Sequence, residues 1–157
     1  MKHLDSGHLA TFLGHHFDQA VFEALAKAGF SGVRGAHGFV IQRLLEGPQG
    51  ISAMARQLGV TQQAVSKQVA ELIDLGLVES AGAAEDGRAR EVRLSKRGRA
   101  CVTTSRRARA QVTARLTKAL GATAMNELHA ALSRALDALG GLEAVQRRRV
   151  RPPPTVA

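Results

Sequence analysis

Apolar residues recur along much of the chain at helical spacing. Leu9, Phe12, Leu13, His16, Phe17, Ala20 and Ala24 follow an i, i+3, i+4, i+7 pattern that predicts a helix from Leu9 to Ala28, ended at Lys27-Ala28-Gly29. His16 lies inside that stripe, which predicts a hydrogen-bonded core histidine. Gly32 to Gly38 is small and polar, and Phe39, Val40, Ile41, Leu44 and Leu45 then mark a second helix stopped by Gly47-Pro48. Ser52 reads as the N-cap of a short helix from Ala53 to Leu58. Gly59 supplies a turn, and Thr61 caps a longer helix that runs through Leu75 and stops at Gly76. The order is helix, tight turn, helix.

Leu77-Val78-Glu79-Ser80 and Glu91-Val92-Arg93-Leu94 are short strands by composition, and the Gly-rich, charged stretch from Ala81 to Arg90 makes them a hairpin with a long tip. From Ser95 to Gly121 the pattern is one long helix, with Val102, Arg106, Arg109, Val112, Leu116 and Leu120 on a stripe and a heavily basic outer surface. A last helix spans Ala122 to Leu139. Its apolar positions Ala124, Met125, Leu128, Ala131, Leu132, Ala135, Leu136 and Leu139 cover more than one face, so it needs more cover than one neighbouring helix offers. A second copy of the chain is the economical source. The tail Arg147-Arg148-Arg149-Val150-Arg151-Pro152-Pro153-Pro154 is expected to be disordered.

Composition narrows the function. With 157 residues and 45% apolar content the chain can build a real core, and its net charge of +9 favours a polyanionic partner. The basic excess is concentrated late: 10 basic against 3 acidic residues in 101–157, and 4 against 4 in 1–50. Trp and Tyr are absent and all five Phe (Phe12, Phe17, Phe22, Phe30, Phe39) precede residue 40. Single-strand and RNA modules stack bases on aromatic side chains, so segregation of aromatics from positive charge points to duplex DNA. A lone Cys101 excludes an internal disulfide framework and fits a reducing cytoplasm. No apolar run suits a signal peptide or a membrane span, so no membrane partner is expected.

The segment from Ser52 to Lys67 carries the strongest chemistry. Small Ala55 lets two helices approach, Gly59 permits the turn, and Met54, Leu58, Val60, Val65 and Val69 lock the pair. The second helix then presents Thr61 at its start with Gln62, Gln63, Ser66 and Lys67 as candidate DNA contacts. Gln binds adenine bidentately, Lys donates to guanine, and Ser suits bases or phosphates. The tip Glu85-Asp86-Gly87-Arg88-Ala89-Arg90 supplies a second contact: Arg88 and Arg90 suit the negative potential of the minor groove, with Asp86 holding the Arg88 guanidinium.

These residues resemble those of the MarR (multiple antibiotic resistance regulator) family. The resemblance rests on Leu58-Gly59-Val60-Thr61-Gln62-Gln63, on Glu71-Leu72 with Leu75-Gly76-Leu77-Val78, on Asp86-Gly87-Arg88-Ala89-Arg90 and on Leu94-Ser95-Lys96-Arg97-Gly98, with Ser95 where Thr is commoner. It implies a mainly α fold with a small β-wing: a winged helix-turn-helix lobe plus a helical dimerisation region. It also implies a homodimer on a pseudo-palindromic DNA site and, often, a small ligand between lobe and dimer region. The expected division is an N-terminal dimerisation helix in 1–32, the DNA-binding lobe in 33–99, C-terminal dimerisation helices in 100–145 and the basic, Pro-rich tail in 146–157.

Other chemistries find less support. No phosphate loop, dinucleotide fingerprint or His-Glu-x-x-His motif is present, and the adjacent pair Glu85-Asp86 is explained by the wing, so the reading is not an enzyme. His8, His15, His16 and His37 lack a metal-ligand spacing, so no metal or other cofactor is expected, and a metal-sensing regulator is a lesser alternative. Cys101 near Arg97, Arg99 and Arg106 raises redox sensing, weighed against a buried structural thiol. A ligand-independent nucleoid or architectural protein is the alternative from another class. The favoured reading is a sequence-specific repressor responding to a small aromatic or carboxylated effector. Its pocket is expected among the Phe residues, with Phe12, His15, His16, Arg34 and His37 as candidate lining.

Overall fold

A computed structural model describes residues 4–81 and 91–146. Among these, the chain runs α1 (Ser6–Lys27), α2 (Gly35–Leu44), β1 (Gln49–Gly50), α3 (Ile51–Leu58), α4 (Gln62–Asp74), β2 (Val78–Ser80), β3 (Glu91–Leu94), α5 (Lys96–Leu120), α6 (Ala122–Ala138) and α7 (Leu142–Gln146). The fold is mainly α with a small β-wing, as the sequence predicts. The tip residues Asp86, Arg88 and Arg90, and the tail after 146, lie outside the described residues.

Several boundaries shift for physical reasons. Asp5, not a residue near Leu9, caps α1, its carboxylate accepting from the His8 backbone N–H at 2.9 Å. α2 starts at Gly35, earlier than the glycines suggest, because the His37 Nδ1 accepts the Arg34 backbone N–H and holds the first turn. Ser52 is not a cap. Gln49 and Gly50 form a third strand, pairing antiparallel with Val92 and Glu91, and Gly50 becomes the N-cap of α3. Sheet order is β1-β3-β2, with Val78 opposite Leu94 and Glu79 opposite Arg93. The short α7 is an element the apolar pattern did not predict.

The core sits in the lobe. Met54, Ala55 and Leu58 of α3 pack with Val65, Val69 and Leu72 of α4, and Val40, Ile41 and Leu44 of α2, Leu77, Val78, Val92 and Leu94 complete it. Gly59 ends α3 at φ 67°, the left-handed conformation that makes the sharp turn into α4. α1 packs along α5, and Val21, Leu25, Cys101 and Ala108 carry the core between them. The buried face of α1 is therefore centred on Val21 and Leu25, one position off the predicted stripe, of which Leu13, Phe17, Ala20 and Ala24 are half-buried. Leu9, Phe12 and His16 are exposed, so His16 is not the core histidine that its stripe predicts. α6 has no buried residue at all.

Ser95 joins lobe to long helix. Its hydroxyl donates to the Gly76 carbonyl at 2.6 Å and accepts the Gly98 N–H at 2.9 Å, capping α5 while tying it to the end of α4. Gly98 makes that approach possible, since a Cβ there would stand 2.0 Å from the Leu77 carbonyl oxygen. Arg97 adds a clamp: its guanidinium donates to the Leu75 and Gly29 carbonyls and lies 4.8 Å from the Phe30 ring centroid. Ser95→Ala is expected to cost about 1–2 kcal/mol by removing the cap and orphaning the Gly98 N–H. The check is a lower urea midpoint at unchanged m-value, with Ser95→Thr losing less.

Candidate nucleic-acid interface and adjoining cleft

α4 is held by its buried side and offers its first two turns to solvent. Val65, Val69 and Leu72 face the core, while Gln62, Gln63, Ser66 and Lys67 are exposed. Gln62 with Ser66, and Gln63 with Lys67, are each spaced i, i+4, so the four form two adjacent rows on the free face. The Thr61 hydroxyl accepts the Ala64 N–H at 3.1 Å, which caps the helix and still leaves its own O–H to donate. Amide, hydroxyl and ammonium groups at a helix N-terminus make a surface suited to base edges and phosphates. The wing's base is firm as well, with the Arg93 Nε donating to Glu79 across the strands at 2.9 Å.

Further along the ridge of Gln63 and Lys67 lies a polar cluster the sequence did not reveal. The Arg34 guanidinium donates to the Oε2 of Glu71 on α4, and the His37 Nε2 stands 2.8 Å from the same oxygen. The Arg34 N–H points at His37 Nδ1, which therefore accepts, so Nε2 carries the proton and donates to Glu71. His37 is 1% exposed. Burial, and then the positive charge of Arg34, hold its pKa below the ordinary 6.5, because Arg34 on the shared oxygen offsets the pull of the Glu71 carboxylate. Glu71 belongs to the family-like Glu71-Leu72 pair, but its partners come from α2 and the residue before it.

A cleft of about 520 Å³ opens between α1, α2 and α5, with Val145 of α7 at its edge. Val21, Phe22, Leu25, Val33, Phe39, Ile41 and Val102 give it apolar walls, and Asp18, Arg34, Arg106 and Arg109 supply charge. Of the expected lining, Arg34 is present, whereas Phe12, His15, His16 and His37 are not among the lining residues. Phe12 and His15 meet edge to face, 6.2 Å between ring centroids, on the exposed part of α1, and His37 points to Glu71. The sequence signal failed because helical period alone cannot separate the end of α1 that meets α5 from the end that does not. Phe22 and Phe39 are the phenylalanines at the cleft, and Phe30 is buried beneath Arg97.

Cys101 also borders the cleft but is 2% exposed, and burial pushes its thiol pKa up, with Arg97 opposing. A sensing thiolate needs the reverse environment. Among the described residues no group of three His, Cys, Asp or Glu is placed to hold a metal ion, and no helix is long and apolar enough to cross a membrane.

The buried neutral His37 sets a pH dependence. Below about 6.5 the unfolded chain takes up a proton at this position that the folded chain, with its lowered pKa, still refuses, so stability falls as pH drops through that window. Urea unfolding at a series of pH values is expected to show a shallower acid loss in His37→Gln than in the wild type. Equal slopes would mean that His37 is not held neutral.

Residues 31–89 match the model of the MarR family. No curated protein matches the chain in sequence. Among solved structures, the reduced form of MarR from E. coli is similar, with 22% identity, a TM-score of 0.67, and 87% of this chain and 99% of that one covered. A mutant of MepR from S. aureus bound to an oligodeoxyribonucleotide gives 18% identity, a TM-score of 0.62 and coverage of 87% and 99%. The Mycobacterium tuberculosis MarR family protein RV2887 in complex with salicylic acid gives 24% identity, a TM-score of 0.58 and coverage of 85% and 98%. The lobe is thus matched by the MarR family model, and the fold is shared over most of the chain's length with MarR and with the MarR family protein RV2887.

Proposed function

We propose that the chain is a non-catalytic, sequence-specific duplex-DNA-binding repressor acting as a homodimer in the cytoplasm, released from DNA by a small aromatic or carboxylated effector. The observation that carries this reading is α4: a helix capped by Thr61, anchored by Val65, Val69 and Leu72, with Gln62, Gln63, Ser66 and Lys67 free at its leading turns. A net charge of +9 draws it to DNA. On this reading the wing residues Asp86, Arg88 and Arg90 extend contact to the minor groove. The likeness to a MepR mutant bound to an oligodeoxyribonucleotide supports DNA as the partner.

Two further supports concern the dimer and the effector. Exposed Leu9, Phe12, Leu132 and Leu136 on α1 and α6 form apolar surface that a second copy would cover, and two-fold symmetry matches a pseudo-palindromic site. The cleft joins apolar walls to a few charged groups, as small-molecule sites do. RV2887 in its salicylic acid complex has a similar fold, which supports a carboxylated aromatic as the kind of ligand. To release DNA, an effector must favour the lobe arrangement that DNA does not, with a coupling of about 1–3 kcal/mol.

Selection of bound duplexes from a random library tests the function. A two-fold motif is expected, whereas equal binding of all duplexes would mean an architectural protein. On the selected duplex, Gln63→Ala and Lys67→Ala are each expected to cost about 1–3 kcal/mol and to relax base preference at particular positions. Uniform weakening across all sequences would make both residues phosphate contacts.

A further inference from the structure

Arg34 stands where the cleft and the DNA-reading helix meet. It precedes α2, its side chain lines the cleft, and its guanidinium donates to Glu71 on α4. Glu71 lies on the ridge of Gln63 and Lys67, two four-residue steps beyond the first and one beyond the second. The cleft's other charges are unequal. Asp18 is engaged by Arg109 at 2.7 Å, and Arg34 holds a carboxylate that is not part of the lining, so the lining itself carries more positive than negative charge over apolar walls. That combination suits a carboxylate on an apolar body.

The two donors on Glu71 differ in freedom. His37 is buried, and its ring is fixed at both nitrogens, to the Arg34 N–H and to Glu71. The Arg34 side chain is 59% exposed and swings from a backbone held in place by the first turn of α2. When Arg34 leaves, Glu71 keeps the His37 Nε2–H as donor and is not stranded, so the exchange exposes no bare buried charge.

We propose that Arg34 reads the anionic group of the cleft's ligand by exchange: it lets go of Glu71 on the recognition helix and takes the ligand's carboxylate, while His37 retains Glu71. Binding of the ligand's carboxylate thus competes with an internal carboxylate of α4. This rests on the reading that the cleft takes a small molecule.

The test titrates the full chain at low salt with para-fluorobenzoate and its neutral counterpart para-fluorobenzamide, followed by fluorine NMR. Glu71→Gln keeps an oxygen for the His37 Nε2–H but removes the competing charge. It is expected to bind the benzoate about twofold to fivefold tighter than the wild type, with the benzamide unchanged. Arg34→Gln is expected to bind the benzoate about twofold to fivefold more weakly, again with the benzamide unchanged. Benzoate binding that Glu71→Gln leaves equal or weakens overturns the exchange and leaves the cleft standing as a ligand site. Parallel changes for both probes also overturn it, since they report altered shape and not charge. If neither probe binds the wild type, the ligand reading of the cleft falls and the exchange falls with it.

Discussion

Leu9 and Phe12 on α1, Leu120 at the end of α5, Leu132 and Leu136 on α6 and Leu139 just beyond it stand in water in the single chain. Burying side chains of this size is worth about 1.5–3 kcal/mol each, so a surface that leaves them uncovered gives up much of what a small domain has to spend against chain entropy. The core does not reach them. It runs from the lobe to Val21 and Leu25 on α1 and ends on α5 at Ala108. Everything beyond depends on a second apolar surface, which in the proposed account is the same surface of another copy.

That dependence gives the joint at Ser95 its importance. α5 belongs to the lobe at one end and to the proposed dimer region at the other, so the Gly76 and Gly98 bonds of Ser95 and the Arg97 clamp on Leu75 and Gly29 decide how α4 is aimed. Two recognition helices can meet successive major grooves only if their separation matches about one turn of duplex. The cleft opens beside this joint, between α1, α2 and α5, and Arg34 connects its rim to α4. A ligand seated there would act on the angle between the parts and not on the DNA face itself.

The helix-turn-helix was legible because its signals are local. Thr61 accepts the Ala64 N–H, Gly59 and Gly76 adopt positive φ, and the apolar spacing of α3 and α4 gave the buried faces directly. What escaped depends on partners distant in sequence. β1 is two residues whose identity as a strand comes from Val92 and Glu91, and Ser52 consequently lost its capping role to Gly50. α1 was read correctly as a helix, yet its buried residues are Val21 and Leu25, beside the predicted stripe, because the packing against α5 decides which face is covered, and Phe12, His15 and His16 fall outside the cleft they were expected to line. Glu71, 37 residues from Arg34, has no local signature as its partner.

The claim on which the rest turns is that one chain is half of the working unit. Sedimentation equilibrium over a range of concentrations tests it most directly. The account predicts a mass twice the 16.6 kDa of the chain, persisting on dilution. A folded, stable species of 16.6 kDa would contradict it, because the exposed faces of α1 and α6 would then need no partner.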